Sequence, residues 1–515
     1  PLVARRPNDG EWALSLAIGY DGLGWAVNSM GDPAGALPFH QAGLKLAEAA
    51  LARHPADPWW RRQRMVCEDS LGSAAIRLGR SDEAMEHFSR ALEMAKEQAM
   101  RQPDNAETQF DLAFRHFSVG RVHYARGDMP RMLEHAQAAM ELAEKLVARD
   151  PGNAEWNTFL AGMYNSLGEV LRQKGDHEGA MKNFQAGAQL TESLVARDPR
   201  NTDWQTLLAG MRVSIAAVQR DQGDEDAALE NYRDAAQRMA TLVARDPKNV
   251  EWRRLLASYQ NQVAFALQRR GRMSEALAMF SRSLENAEAL CDQRPDDAGL
   301  QHDLANAHTN IGMLLKATGD TTGALKHYGR AADTNKALTQ LEPTNAMWQY
   351  SLALSLTNLG MALEASGQPA AALARYREAQ EVLQRLVAQT PSNAGWRHAL
   401  AGSQIYDVGR LLEIAGDTTG ALEQYRGGLD HLRLLLAAQP DDASALLDAA
   451  YGNQNLAFVL EKQGDARGAL EYYRNSEAIM QRLVARDGQN EQYTGNLGIV
   501  QRRIEAIVGG SGAAP

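Results

Sequence analysis

Apolar and polar positions follow one recurring pattern along the chain. Runs of the type Leu-Val-Ala-Arg-Asp-Pro, apolar residues followed by charges and a proline, mark its period. The prolines stand at Pro7, Pro55, Pro103, Pro151, Pro199, Pro247, Pro295, Pro343, Pro391 and Pro440, with Gly488 as an eleventh mark. Successive marks lie 48 residues apart, except for 49 between Pro391 and Pro440. A fixed period of this size predicts a stack of like units rather than separate globular domains. Two residues after each mark comes Asp or Asn, from Asp9 and Asp57 through Asn105 and Asn201 to Asn490. These side chains suit helix N-caps, because their oxygens accept the unpaired amide hydrogens of a first turn. Farther on, a glycine recurs in all ten repeats: Gly31, Gly79, Gly127, Gly175, Gly223, Gly271, Gly319, Gly367, Gly416 and Gly464. Glycine there supplies the left-handed conformation that ends one helix and turns the chain into the next. The distance from cap to glycine allows a helix of about 20 residues, roughly 30 Å long. The expectation is an all-α chain of ten helix hairpins and a last helix from Asn490. The inserted residue of repeat nine falls between Ala401 and Gly409, where a π-bulge or kink and a change of superhelix pitch are expected.

Further columns describe how the helices pack. Within the first helix of each repeat one position is Gly or Ala throughout, as in Gly24, Gly72, Gly120, Gly168, Ala216 and Gly409. The second helix carries Ala and then Phe or Tyr four residues later, as in Ala84/Phe88, Ala180/Phe184, Ala372/Tyr376 and Ala469/Tyr473. Small residues let helix backbones approach, and the ring fills the space beside them. Seven of the nine tryptophans share one column: Trp12, Trp60, Trp156, Trp204, Trp252, Trp348 and Trp396. That recurrence points to packing rather than chemistry.

The order Leu-Gly, Gly-Asp, Ala, Tyr/Phe, Ala, Pro resembles the tetratricopeptide repeat over essentially the whole chain. The period departs from that family's usual 34 residues, so both helices are expected to be extended. The resemblance implies a right-handed α-solenoid, taken as a single domain over residues 1–508 with a flexible tail at 509–515 and a polar capping helix at Gln501, Arg502 and Arg503. Long-period arrays of this kind are similar to those joined to effector domains in bacterial multidomain signalling and defence proteins. The first residues, 1–7, read as the tail of an element that began earlier.

By the same resemblance, the first helices line a concave groove. Repeat three breaks the rule there: Met132 replaces the alanine, Ala136 the ring and Thr108 the tryptophan. Met132 and Ala136 together make a large-for-small exchange that could conserve volume. Its first helix adds Phe114, Phe117, Arg121 and Tyr124, read as an aromatic patch with one cation that grips a partner segment. Repacking around the missing tryptophan is the plainer alternative. Down the column of Tyr124 the residues run Arg172, Arg220, Gln268, Lys316, Glu364, Glu413 and Glu461, from basic to acidic. With Arg212 and Arg269 the basic stretch would suit an acidic segment of a partner.

Composition narrows the function. The 54 Lys and Arg against 64 Asp and Glu leave a net charge of −10, a poor match for a nucleic-acid backbone. No apolar run approaches the ~20 residues of a membrane span. Two cysteines, Cys67 and Cys291, cannot build a disulfide framework, so a reducing cytoplasm is the default. No phosphate loop or HExxH motif occurs, and His116 and His123 share a helix without another ligand at metal spacing. Ser70, Ser118, Ser166 and Ser214 recur in one column, as packing residues rather than nucleophiles. The sequence thus points to a recognition solenoid without catalysis, cofactor or metal, binding a protein or peptide and regulating an upstream effector. Structural self-association is the alternative.

Overall fold

A computed structural model describes residues 10–29 and 31–511. Pro7, Asp9 and the start of the chain lie outside the described residues. The chain divides into two compact units, Pro1–Asp246 and Pro247–Pro515, although the 48-residue marks run on without interruption. In the first unit the helices are α1 (Gly10–Ser29), α2 (Pro33–Arg53), α3 (Pro58–Arg77), α4 (Ser81–Arg101), α5 (Ala106–Ala125), α6 (Met129–Arg149), α7 (Ala154–Gln173), α8 (His177–Arg197), α9 (Thr202–Asp221) and α10 (Glu225–Arg245). The second unit continues with α11 (Val250–Arg269), α12 (Met273–Gln293), α13 (Ala298–Ala317), α14 (Thr321–Leu341), α15 (Ala346–Ala365), α16 (Pro369–Gln389) and α17 (Ala394–Gly402). A π-helical turn (Ser403–Gly409) joins α17 to α18 (Arg410–Ile414), and α19 (Thr418–Ala438), α20 (Ala443–Lys462), α21 (Ala466–Arg486) and α22 (Glu491–Ser511) follow. Among the described residues there is no strand, and each unit is an all-α solenoid of stacked hairpins.

Local chemistry sets these boundaries. Asn201 accepts from the Trp204 amide at 3.0 Å and Asn249 from that of Trp252 at 3.0 Å, and the same cap recurs from Asp57 to Asp442. All ten glycines of the turn column have φ between +71° and +93°. Among the described residues no other residue type adopts positive φ. The residue after the glycine is itself a cap. Asp176 accepts from Gly179 N at 2.9 Å, and Asp32, Asp128, Asp224, Asp320, Asp417 and Asp465 do the same at the equivalent position of their repeats. Arg80, Arg272 and Gln368 stand at that position without a side-chain cap bond. Gln368→Asp would recreate the Asp-Pro junction that Asp57 and Pro58 already form. It is expected to stabilise the second unit by about 0.5–1 kcal/mol, read as a rise in the urea midpoint.

The ring column closes each hairpin. Phe88 and Phe184 are fully buried, as are Tyr425 and, within a few per cent, Tyr232, Phe280, Tyr328, Tyr376 and Tyr473. Where the small residue of the preceding helix is glycine, the ring of these hairpins lies on it: a Cβ added to Gly168 would come 2.7 Å from Phe184, and one on Gly360 would come 2.5 Å from Tyr376. In repeat one the ring is an imidazole. His40 is buried over Gly24, with its Nδ1 2.7 Å from Asp21. Where the ring is Tyr in the last three repeats, its hydroxyl donates to a glutamate twelve residues earlier: Tyr376 to Glu364, Tyr425 to Glu413 and Tyr473 to Glu461. Much of the acidic run in the groove column is therefore there to satisfy buried phenols.

The inserted residue of repeat nine is absorbed as expected, in the π-helical turn Ser403–Gly409. A Cβ on Gly409 would meet the Gln404 carbonyl, five residues back, at 2.5 Å, and Tyr425 at 2.7 Å. The wide turn thus uses up the extra residue before the glycine column, and the Gly409–Tyr425 contact keeps its register. The tryptophan column packs unevenly: Trp60 and Trp348 are buried, four others are half-buried, and Trp12 is exposed. At the far end α22 runs through Gly509 and Gly510 to Ser511, into the stretch read as a linker; residues 512–515 lie outside the described residues. Gln501 and Arg503 on that helix are exposed and bond to Glu477 and Glu461.

Candidate functional site

Repeat three departs from the ring rule, and the structure shows the result. Between α5, α6 and α7 lies a pocket of about 300 Å³. Phe117, Gly120, Arg121 and Tyr124 of α5, Met132 and Ala136 of α6, and Met163, Leu167, Glu169 and Val170 of α7 are among the residues that line it. Exchanging alanine and ring for Met132 and Ala136 therefore does not conserve volume. Methionine fills only part of what a ring would occupy. A Cβ on Gly120 would have nothing closer than 3.5 Å, and the seat is open. Across it, α6 and α7 make the sparsest contact between successive hairpins of the first unit.

The lining is a ring site without its ring. In repeat four the buried Phe184 packs in one cluster with Met211, Ile215 and Val218, which follow it by 27, 31 and 34 residues. The residues at the same distances from Ala136 are Met163, Leu167 and Val170. Sequence reading singled out Met132 and Ala136 but missed this second wall. The fixed offsets from ring to following helix are the signal that finds it.

Three of the four residues read as the patch, Phe117, Arg121 and Tyr124, come together around this pocket. Phe114 does not line it. Phe110, Phe114 and Phe117 instead gather on Phe159 of α7, with ring centres 5.3, 5.9 and 6.0 Å away, and Arg115 lies 5.0 Å from the Phe114 ring. The missing tryptophan leaves Thr108, whose hydroxyl donates to the carbonyls of Gln102 and Asn105. Tyr124 is 41% exposed and its hydroxyl lies within hydrogen-bonding distance of Gln173. Arg121 is exposed and makes no hydrogen bond or ion pair among the described residues. Its charge helps hold down the carboxyl of Asp69, which burial raises above the usual range.

The remaining basic residues have partners. Arg172 bonds Glu169 at 2.8 Å and Asp221 at 2.8 Å, and these contacts raise its pKa, the Glu169 hydrogen bond most. The hydrogen bond from Arg172 in turn lowers the Glu169 carboxyl. Arg220 pairs with Asp221 at 2.7 Å, and Arg212 bridges Glu192 and Asp234. Three of the predicted groove cations in the first unit are thus neutralised within it. In the second unit, Arg269 stands in the last turn of α11 and Lys316 Nζ lies 3.4 Å from Met361 Sδ.

Histidines flank the pocket on α5 and α6. His116 Nδ1 and His135 Nδ1 lie 3.1 Å apart, and His135 stacks on His123 with ring centres at 5.6 Å. His135 was the neighbour that sequence reading missed, because it faces across a hairpin. Burial, followed by the neighbouring ring and Lys96, lowers His116 to about 4; burial and His123 lower His135, with Glu134 opposing. The second unit repeats the pair: His308 and His327 lie 3.0 Å apart, and burial brings His308 down to about 4. A histidine neutral in the fold and protonated near 6.5 when unfolded stabilises above pH 6.5. That contribution is lost as pH falls from 6.5 toward 4. Asp407, pushed up to about 7 by burial, acts in the opposite sense: its contribution is lost as pH rises through 7. The prediction is therefore a difference. His116→Gln/His308→Gln is expected to lose less stability than wild type between pH 6.5 and 4.5, read from urea midpoints.

The cysteines and the serine column are held as packing residues. Cys67 and Cys291 are buried, and burial pushes their thiols up to about 12 and about 11, against thiolate chemistry. Ser166 donates to the Gly162 carbonyl and Ser214 to Asn165, as packing residues do. Among the described residues no His, Cys, Asp and Glu cluster is placed to hold a metal ion, and no helix is long and apolar enough to cross a membrane. What the arrangement offers is an apolar recess with one cation at its rim that makes no hydrogen bond or ion pair among the described residues.

Comparisons with known proteins agree with the geometry. Sequence profiles of the tetratricopeptide repeat match residues 220–298, and residues 70–98 and 161–193. No curated protein matches the chain. The apo form of RapI is 14% identical, covers 82% of this chain and 99% of its own, and superposes with a TM-score of 0.50. BtubC from P. vanneervenii is 20% identical over 51% of this chain and 92% of its own, with a TM-score of 0.40. The human IFIT1 dimer with m7Gppp-AAAA is 16% identical over 91% of this chain and 90% of its own, with a TM-score of 0.36. At 14% identity the likeness to RapI speaks to the fold alone, an all-α solenoid, and the profile matches identify tetratricopeptide repeats at residues 70–98, 161–193 and 220–298 of it.

Proposed function

We propose that the first unit recognises a segment of a partner protein at the recess of repeat three. The observation that carries this reading is the apolar pocket between α5, α6 and α7 with the unpaired guanidinium of Arg121 at its mouth. An apolar wall with a few placed polar groups is the usual make-up of a ligand site. A cation without an internal partner favours a segment with a carboxylate beside its apolar anchor. The net charge of −10 favours a protein partner over a polyanion. In a longer bacterial protein, such binding would regulate an upstream effector domain in the cytoplasm. That part of the reading is supported by the long-period repeat type and by two cysteines kept as buried thiols.

Random-peptide display on the immobilised protein tests the site. Enriched peptides are expected to carry an acidic residue near a large apolar one, and to bind Arg121→Gln/Tyr124→Ala about tenfold more weakly at unchanged helicity. Equal binding to both proteins would sink the reading. Self-association has an observation of its own: Ile18, Leu23 and Trp25 on α1 are each more than half exposed.

A further inference from the structure

We infer that the recess of repeat three is an aromatic slot, filled by a Phe or Tyr side chain of an acidic partner segment in the place left empty by Ala136. This rests on the proposed recognition at repeat three and names what enters it. In the other hairpins the seat on the small residue is taken from within, by His40, Phe88, Phe184 or the rings that follow. The seat on Gly120 is kept, and so is the opposite wall of Met163, Leu167 and Val170, the counterparts of the residues that hold Phe184. A cavity of about 150 Å³ with an apolar lining admits benzene. The pocket here, about 300 Å³, has room for a ring together with part of its backbone.

Charge fixes the surroundings of that ring. Glu169 at the rim is engaged by Arg172 and Gln173, whereas Arg121 makes no hydrogen bond or ion pair among the described residues. A carboxylate next to the ring therefore finds one available cation, whereas a basic neighbour would meet a carboxylate already paired. Tyr124, half out of the fold, borders the same opening.

The repeat itself supplies the test, because the missing ring can be restored from inside. Ala136→Phe, and Met132→Ala/Ala136→Phe, which recovers the alanine and ring of the other hairpins, should fold and melt no lower than wild type. The probe is 4-fluorophenylacetate, a ring with a carboxylate, followed by fluorine NMR. Wild type is expected to broaden and shift its signal, both filled variants to bind it about tenfold more weakly, and Arg121→Gln to weaken it several-fold while still binding. The positively charged 4-fluorobenzylamine should bind wild type more weakly than the acid. Ring binding that persists in both filled variants would overturn the inference, as would the absence of ring binding to wild type. Either failure leaves the Arg121-dependent peptide selection to stand or fall by itself, so the two readings are separable.

Discussion

Phe184→Ala is expected to destabilise the first unit by about 3–5 kcal/mol, the largest effect of any single change considered. Phe184 is fully buried, and it joins α8 to Met211, Ile215 and Val218 of the following helix while lying on Gly168 of the preceding one. Truncation removes the transfer free energy of a whole ring and leaves a cavity between helices held apart by their other contacts. Urea unfolding followed by circular dichroism would read the loss as a lower midpoint. A second, more specific outcome is expected in the same protein: 4-fluorophenylacetate should recover part of the lost stability, because repeat four would then resemble repeat three. Loss below about 1 kcal/mol would show that the ring column does not carry the packing assigned to it.

Gly168→Ala and Gly120→Ala are expected to act with opposite signs. A methyl on Gly168 would lie 2.7 Å from the Phe184 ring, which is enclosed and cannot withdraw. Overpacking of that kind costs about 1–3 kcal/mol. On Gly120 the nearest atoms are at 3.5 Å, ordinary contact distance, and alanine in mid-helix gains about 0.5–1 kcal/mol over glycine. The double variant Gly168→Ala/Phe184→Ala should cost less than the sum of its parts, since removing the ring removes the clash. Strict additivity, or destabilisation by both alanines alike, would contradict the arrangement of ring and seat.

What the sequence made legible was whatever is local or strictly periodic. The caps from Asp57 to Asp442 and the ten left-handed glycines follow from backbone needs within one turn, and the structure has them all among the described residues. The π-turn before Gly409 followed from counting one residue too many against a rigid period. What escaped depends on neighbours brought close by stacking. His135 meets His116 across 19 residues, Phe159 meets Phe114 across 45, and Tyr425 meets Glu413 across the turn between two helices. The same blindness made Met132 and Ala136 look like a balanced exchange, since volume is conserved only if the replacement reaches the same space. Methionine four residues before the ring position starts from a different turn and cannot.

Under tension, a stack of like hairpins should not part at random. It parts where adjacent layers hold each other least, and in the first unit that place is the junction of α6 and α7. One absent side chain therefore gives the stack of the first unit a preferred point of rupture. A partner ring seated there would act as a rivet, raising the force at which the layers separate without adding a residue to the chain.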